Sequence, residues 1–112
     1  MRGPLAHVEL QILFNLACGP SHGYQLMRTI SESSEGRLKA GPGTLYVAMK
    51  RLVQAGLAEE LKADAGAARA KRTYAITTRG HAAMREELAR LQDIVRRADT
   101  AGWLSPRAEE GR

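Results

Sequence analysis

The segment from Pro42 to Leu57 constrains the fold most, because a turn, an amphipathic helix and a helix stop follow one another there. Proline and glycine open the predicted helix, at about Gly43 to Ala55, and Gly56 lies just past its end. At about 100° per residue the apolar side chains share one face: Leu45, Ala48, Met49, Leu52 and Val53. The other face carries Thr44, Val47, Lys50, Arg51 and Gln54, with Tyr46 at the border. This helix therefore needs a scaffold for its apolar face and leaves a polar, cationic face outside.

Two earlier helices are predicted to supply that scaffold. Residues 5–17 have apolar side chains at helical spacing on nearly all sides, which predicts a helix buried on more than one face. Gly19-Pro20 ends this helix. Ser21 is then placed as the N-cap of a second short helix, with Tyr24, Met27 and Ile30 on one stripe.

The residues after Gly56 indicate a β-hairpin. Leu57 to Lys62 and Thr73 to Thr77 read as strands, the second rich in β-branched and aromatic residues. The small-residue stretch between them ends in the cations Arg69, Lys71 and Arg72. Three helices followed by a basic hairpin predict a winged helix-turn-helix domain over residues 1–77, mainly α with a small β-hairpin.

A long helix is predicted over residues 78–101. Its apolar residues recur at alternating spacings of four and three, a heptad seam: Met84, Leu88, Leu91, Val95 and Ala98. Such a helix at the end of a small domain favours packing on a second copy, so we expect a homodimer. Residues 102–112 are predicted to be a disordered tail.

The positive charge is concentrated in one part of the chain. The net charge is +5, and the segment from Arg37 to Arg79 holds nine Lys or Arg against three acids, whereas the remainder carries −1. A solvated face explains a mild surplus but not its localisation, which indicates contact with nucleic-acid phosphates. No apolar run approaches the ~18 residues of a membrane span, and the amino terminus lacks a signal-peptide layout, so we expect a cytoplasmic protein. The single cysteine, Cys18, is expected to be a buried hydrophobe in a reducing compartment.

Three groups of residues are candidates for DNA contact. The third helix would place its outer face in the major groove, Gly43 would allow close backbone approach, and the wing cations would contact phosphates or the minor groove. Residues at the start of the second helix would touch phosphates, although Tyr24 could equally lie in the core. The full set is Ser21, His22, Tyr24, Gly43, Thr44, Tyr46, Val47, Lys50, Arg51, Arg69, Lys71 and Arg72.

Catalysis and metal binding are not predicted. No nucleophile-base pair, paired carboxylate or phosphate loop is present, and His7 and His81 have no ligand partners at metal spacing. We therefore expect neither an enzyme nor a cofactor. Trp103, the only tryptophan, is expected to pack on the first helix or the other subunit, or else to form the aromatic wall of an effector site.

Five motifs in order resemble the PadR-like family of bacterial transcription regulators: Ser21-His22-Gly23-Tyr24, Pro42-Gly43-Thr44-Leu45-Tyr46, Arg51-Leu52 through Ala55-Gly56-Leu57, Arg69-Ala70-Lys71-Arg72-Thr73-Tyr74 and Ile76-Thr77-Thr78-Arg79-Gly80. The chain is similar to the short subtype with a single C-terminal helix. It departs from the family pattern at Val47, where proline is usual, and at Ala70 and Thr73, which replace a wing proline and an aromatic.

The resemblance implies a homodimeric winged-helix protein that dimerises through its C-terminal helix and binds an inverted-repeat operator in double-stranded DNA. It further implies a repressor that an aromatic or apolar small molecule releases. The alternative is a winged-helix protein-interaction module, whose basic face would bind an acidic partner without sequence-specific DNA binding.

Overall fold

The computed structural model describes residues 5–34, 42–61 and 72–104. The helices are α1 (His7–Ala17), α2 (Gly23–Ser33), α3 (Pro42–Gln54) and α4 (Thr78–Thr100), and the strands are β1 (Ser21–His22), β2 (Ala58–Glu60) and β3 (Thr73–Ile76). The strands form an antiparallel sheet in the order β1-β3-β2. This architecture confirms the predicted fold class, a mainly helical winged helix-turn-helix followed by a long helix.

Strand β1 is an element that the sequence did not predict, and it corrects the role given to Ser21. Ser21 lies opposite Tyr74 and His22 opposite Thr73 in the sheet, so the backbone of this segment is hydrogen-bonded to β3. The N-cap of α2 is His22, whose side chain makes no capping hydrogen bond. Pairing with β3 satisfies backbone groups that a capping turn would otherwise have to satisfy locally.

One core joins α1, α2, α3, the sheet and the start of α4. Its buried hydrophobic residues are Leu10, Ile12, Leu13, Leu16, Leu26, Ile30, Leu45, Ala48, Met49, Leu52, Leu57, Ala58, Tyr74 and Met84. Helix α1 contacts α2, α3, β3 and α4, which agrees with a helix buried on several sides. Phe14, however, is half exposed, so one side of α1 remains open.

Two predicted orientations, those of Cys18 and Val53, and the stripe predicted through Tyr24, Met27 and Ile30 are wrong, each for a geometric reason. Cys18 is exposed, because it lies about 200° around the helix axis from the buried Leu16. Tyr24 is exposed while Ile30 is buried, because six residues along a helix separate the two by about 120°. Val53 lies at the edge of the inner face of α3 and is 36% exposed.

The end of α3 is a Schellman motif that turns the chain into β2. Gly56 has φ 78°. Its amide donates to the Val53 carbonyl oxygen at 3.0 Å, and the Leu57 amide donates to the Leu52 carbonyl oxygen at 2.9 Å. Glycine is favoured at this left-handed position because it has no Cβ. The helix stop predicted at Gly56 is therefore confirmed.

The start of α4 is tied to the end of α3. Thr77, the N-cap of α4, accepts from the Gly80 amide at 3.0 Å, and its hydroxyl donates to the Gly56 carbonyl oxygen at 2.7 Å. The Thr77 amide donates to the Leu57 carbonyl oxygen at 3.1 Å. The junction thus links the helix with the cationic face directly to the long helix.

Beyond its first turns α4 carries mostly exposed side chains. It ends in a second Schellman motif, in which the Gly102 amide donates to Asp99 and the Trp103 amide to Ala98, both at 3.0 Å. Residues 105–112 of the predicted tail lie outside the described residues. Within the described ranges, no helix combines the length and the apolar character that crossing a bilayer requires.

Candidate nucleic-acid interface

The outer face of α3 is the centre of the candidate interface. Leu45, Ala48, Met49 and Leu52 face the core, and this packing presents the opposite side of the helix to solvent. The exposed residues of that side are Gly43, Thr44, Val47, Lys50, Arg51 and Gln54. The predicted outward orientation of this face is confirmed. It offers hydroxyl and cationic donors together with one apolar side chain, the set that reads base edges and phosphates.

Gly43 has free space around its Cα. A Cβ built at this position would have no neighbour within 4 Å among the described residues, and the backbone does not have the positive φ that favours glycine. Packing within the described part of the chain therefore gives no reason for a glycine here. Close approach of an external partner to the backbone would give one.

The start of α2 lies beside the base of the wing because β1 pairs with β3. Ser21 is half-buried in the sheet, whereas His22 and Tyr24 are exposed. The Nδ1 of His22 and the Oγ1 of Thr73 are 3.1 Å apart, which joins the start of α2 to β3. Pairing of Ser21 with Tyr74 places this group next to the cleft described below.

A cleft of about 230 Å³ lies between α3 and the wing strands. Its lining comprises Tyr46, Met49, Lys50, Val53, Gln54, Glu60, Arg72 and Tyr74. The Nε of Arg72 lies 3.2 Å from the Oε2 of Glu60. Burial raises the pKa of the Tyr74 phenol above its ordinary value, and the Glu60 carboxylate raises it further, whereas the charge and hydrogen bond of Arg72 act in the opposite direction.

The structure describes ten of the twelve predicted site residues, and it brings Tyr46, Lys50 and Arg72 together in the cleft. Arg69 and Lys71, the cations predicted at the wing tip, lie outside the described residues. Arg72 is described, and it is held by Glu60 at the wing base.

Glu60 is the residue of this surface that sequence reasoning missed. Sheet register explains its position: Glu60 lies opposite Tyr74, and Arg72 is two residues before Tyr74 on the same strand face. A diagonal cross-strand pair of opposite charge results. Alternation along the two strands predicts which side chains share a face of each strand. It does not predict which residues lie opposite one another, so the sequence could not pair Glu60 with Arg72.

The predicted seam of α4 divides into two parts. Met84 is buried in the protomer's own core. Leu88, Leu91 and Val95 are 37%, 38% and 52% exposed, and Ala98 is half-buried. Ile94, which the heptad reading left out, is 50% exposed and widens the apolar strip. The exposed strip is long enough to pack on another helix.

Trp103 is 81% exposed in the protomer. The expected packing against α1 within one chain is therefore not found. Its backbone is fixed by the hydrogen bond to Ala98 at the end of α4.

Comparison with known proteins identifies the family. The model of the "Transcriptional regulator PadR-like family" matches residues 12–86. The transcriptional regulator Rv3488 of Mycobacterium tuberculosis is 34% identical over 93 residues, which cover 81% of each chain. A transcriptional regulator from Clostridium thermocellum has a similar structure, with a TM-score of 0.72 and 21% identity over 84% of this chain and 88% of the other.

A further solved structure is that of Bacillus subtilis PadR in complex with operator DNA. It matches with a TM-score of 0.65 and 22% identity, over 74% of this chain and 47% of that one. Both solved structures have the same winged-helix fold as this chain. The family match spans the helix-turn-helix, the wing and the first turns of α4, and the family and its relatives are regulators, not enzymes. The chain belongs to the PadR-like family of transcriptional regulators.

Proposed function

We propose that this protein is a homodimeric repressor that binds a palindromic operator through α3 and is released by a small molecule. The observation that carries the proposal is the outer face of α3, a polar and cationic surface on a helix that packs against α1, α2 and β2. The operator complex of Bacillus subtilis PadR, a structure of the same fold, supports it.

In the proposed complex α3 lies in the major groove. Thr44 and Val47 would face base edges, Lys50 would contact a phosphate beside the wing, and Gly43 would let the backbone approach a phosphate. Arg51 and Tyr46, at the two borders of the face, would contact the flanking strands. Ser21, His22 and Tyr24 would bind phosphates from the start of α2, and Arg69 and Lys71 from the wing. A regulator that acts on chromosomal DNA works in the cytoplasm.

Dimerisation would occur through the apolar strip of α4. Leu88, Leu91, Ile94 and Val95 expose apolar surface that a second copy of α4 would cover. A two-fold dimer places two copies of α3 about 34 Å apart, which matches half-sites one helical turn apart on a palindrome.

The effector site is proposed next to Trp103. A planar aromatic or apolar molecule seated between the two protomers would change the separation of the α4 helices and hence of the two α3 helices. Release of DNA requires that this molecule binds the DNA-incompetent spacing more tightly. Tryptophan fluorescence titrated with planar aromatic compounds, with operator release followed in parallel, tests this step.

Fluorescence anisotropy with duplexes from the protein's own upstream region tests DNA binding. Lys50→Ala and Tyr46→Ala should each weaken binding by about tenfold or more, because each removes a proposed DNA contact of α3. Arg85→Ala removes one exposed cation from α4, away from this interface, and serves as the matched control. Binding of both α3 variants as tight as wild type would refute the assignment, and capture of acidic partners with no preference among duplexes would favour an interaction module.

A further inference from the structure

The cleft between α3 and the wing contains an acidic residue on an otherwise cationic surface. Lys50 of α3 and Arg72 of the wing base both line it, and Glu60 lies with them. A carboxylate beside DNA phosphates costs free energy, since like charges brought together repel. Its presence calls for a partner that neutralises it.

Arg72 has the geometry of that partner. Its Nε lies 3.2 Å from the Glu60 Oε2. Tyr74 is buried and pairs with Glu60 across the sheet, so the carboxylate that holds Arg72 stands on a strand paired with a core residue. Both members of the ion pair are about two-fifths exposed, at 40% and 39%, and therefore remain within reach of DNA.

Lys50 differs from Arg72 in this respect. It is exposed on α3, and no salt bridge to it is found among the described residues. The two cations of the cleft are therefore not equivalent. Lys50 is available to an external anion, whereas Arg72 is already engaged by an internal one.

We infer that Glu60 and Arg72 act as one internally neutralised unit, in which Arg72 is a positioning residue that shields Glu60 from DNA and does not serve as a phosphate contact. This inference rests on the proposed function, because it concerns the same DNA-facing surface. It assigns the attraction for phosphate in this cleft to Lys50.

The test removes these charges singly and in pairs and measures the affinity of each variant for DNA by fluorescence anisotropy. The probe is a duplex selected in vitro with the wild-type protein, and each variant is titrated at several salt concentrations. Arg72→Ala leaves the carboxylate unshielded and should weaken binding about three- to tenfold. The double variant Glu60→Gln with Arg72→Ala should return to within about threefold of wild type, because the repelling charge is gone.

Lys50→Ala provides the matched control. Glu60→Gln should not rescue it, because Lys50 is not the partner of Glu60. The salt dependence gives a second readout: loss of a true phosphate contact lowers the slope of log K against log salt by about 0.9 for each protomer, whereas Arg72→Ala should leave it nearly unchanged.

Failure to rescue Arg72→Ala, with a reduced salt slope, would show that Arg72 contacts phosphate and would overturn the inference. Failure to rescue accompanied by a lowered thermal midpoint would assign Arg72 a merely structural role and would also overturn it. Equal rescue of Arg72→Ala and Lys50→Ala by Glu60→Gln would show that only the net charge of the surface matters, and it would also overturn the inference. If the wild-type protein selects no duplex at all, the proposed function itself fails. The selection step therefore separates failure of the proposed function from failure of this inference.

Discussion

Gly80 is the position where a single methyl group should be most damaging. A Cβ at this buried residue of the first turn of α4 would overlap the carbonyl oxygen of Leu57 and would lie 2.7 Å from the Cγ1 of Ile76. The Leu57 oxygen is a backbone atom that also accepts the hydrogen bond of the Thr77 amide. It cannot yield without disturbing the junction between α3 and α4.

The size of the effect follows from three terms. Overpacking against a fixed backbone costs about 1–3 kcal/mol. Weakening the Thr77–Leu57 hydrogen bond adds about 1 kcal/mol, and alanine in place of glycine in a helix returns up to about 1 kcal/mol. The net loss for Gly80→Ala is about 2 kcal/mol, which for a domain near this size lowers the melting temperature by roughly 8 °C.

Thermal unfolding followed by circular dichroism measures this, with all variants at one protein concentration because a dimer's midpoint depends on it. Gly23→Ala is the matched control: it also lies in the first turn of a helix, and its Cβ would have no neighbour within 4 Å in the part of the chain that the structure describes. We expect that control to melt at or slightly above the wild-type temperature. An unchanged or raised midpoint for Gly80→Ala would refute the close-contact reasoning.

Three further predictions follow from the described geometry. Gly43→Ala should leave stability unchanged or raise it by up to about 1 kcal/mol, yet weaken DNA binding; wild-type affinity would show that no backbone approach occurs at this position. Leu91→Asp should give monomers in sedimentation at micromolar concentration, whereas Ala89→Asp, about 200° away on the same helix, should not; a persistent dimer for Leu91→Asp would exclude this strip. The folded protein holds the Tyr74 proton more tightly than the unfolded chain, because the pKa of Tyr74 is raised from 10.0. The stability that this contributes is therefore present below pH 10.0 and is lost as the pH rises through the raised pKa. In thermal melts at alkaline pH, the melting temperature of Tyr74→Phe should fall less than that of the wild type.

Helical periodicity predicted α3 well because this helix has one buried and one open face. Leu45, Ala48, Met49 and Leu52 are buried as predicted, and the helix stop at Gly56 depends on local backbone geometry that the glycine itself reveals. The same reasoning misplaced Tyr24, since a stripe drawn through residues 24, 27 and 30 drifts around the helix. The buried face of α2 consists of Leu26 and Ile30, so the apolar stripe passes through Leu26 and not through Tyr24.

Features that depend on long-range pairing could not be read from the chain alone. Strand β1 consists of two residues, too few for any periodicity, and it exists because β3 offers a free edge. The Glu60–Arg72 pair depends likewise on the register between β2 and β3. Exposure of Phe14 and Ile94 is also a tertiary property, because an apolar residue in a sequence does not say which neighbour covers it.

The junction between α3 and α4 explains how a change at the dimer interface could reach DNA in the proposed mechanism. The hydroxyl of Thr77 holds the Gly56 carbonyl oxygen, and the missing side chain of Gly80 lets α4 rest against the Leu57 backbone. The guanidinium of Arg79 lies close to Gly56, at the carbonyl end of α3, where a cation is favourable. Through these three contacts, in the proposed mechanism, a rotation of α4 would turn α3 with it. The spacing of two α3 helices on a palindrome would then be set by the way the two α4 helices pack, and a ligand that changes this packing would need no contact with the DNA-binding face.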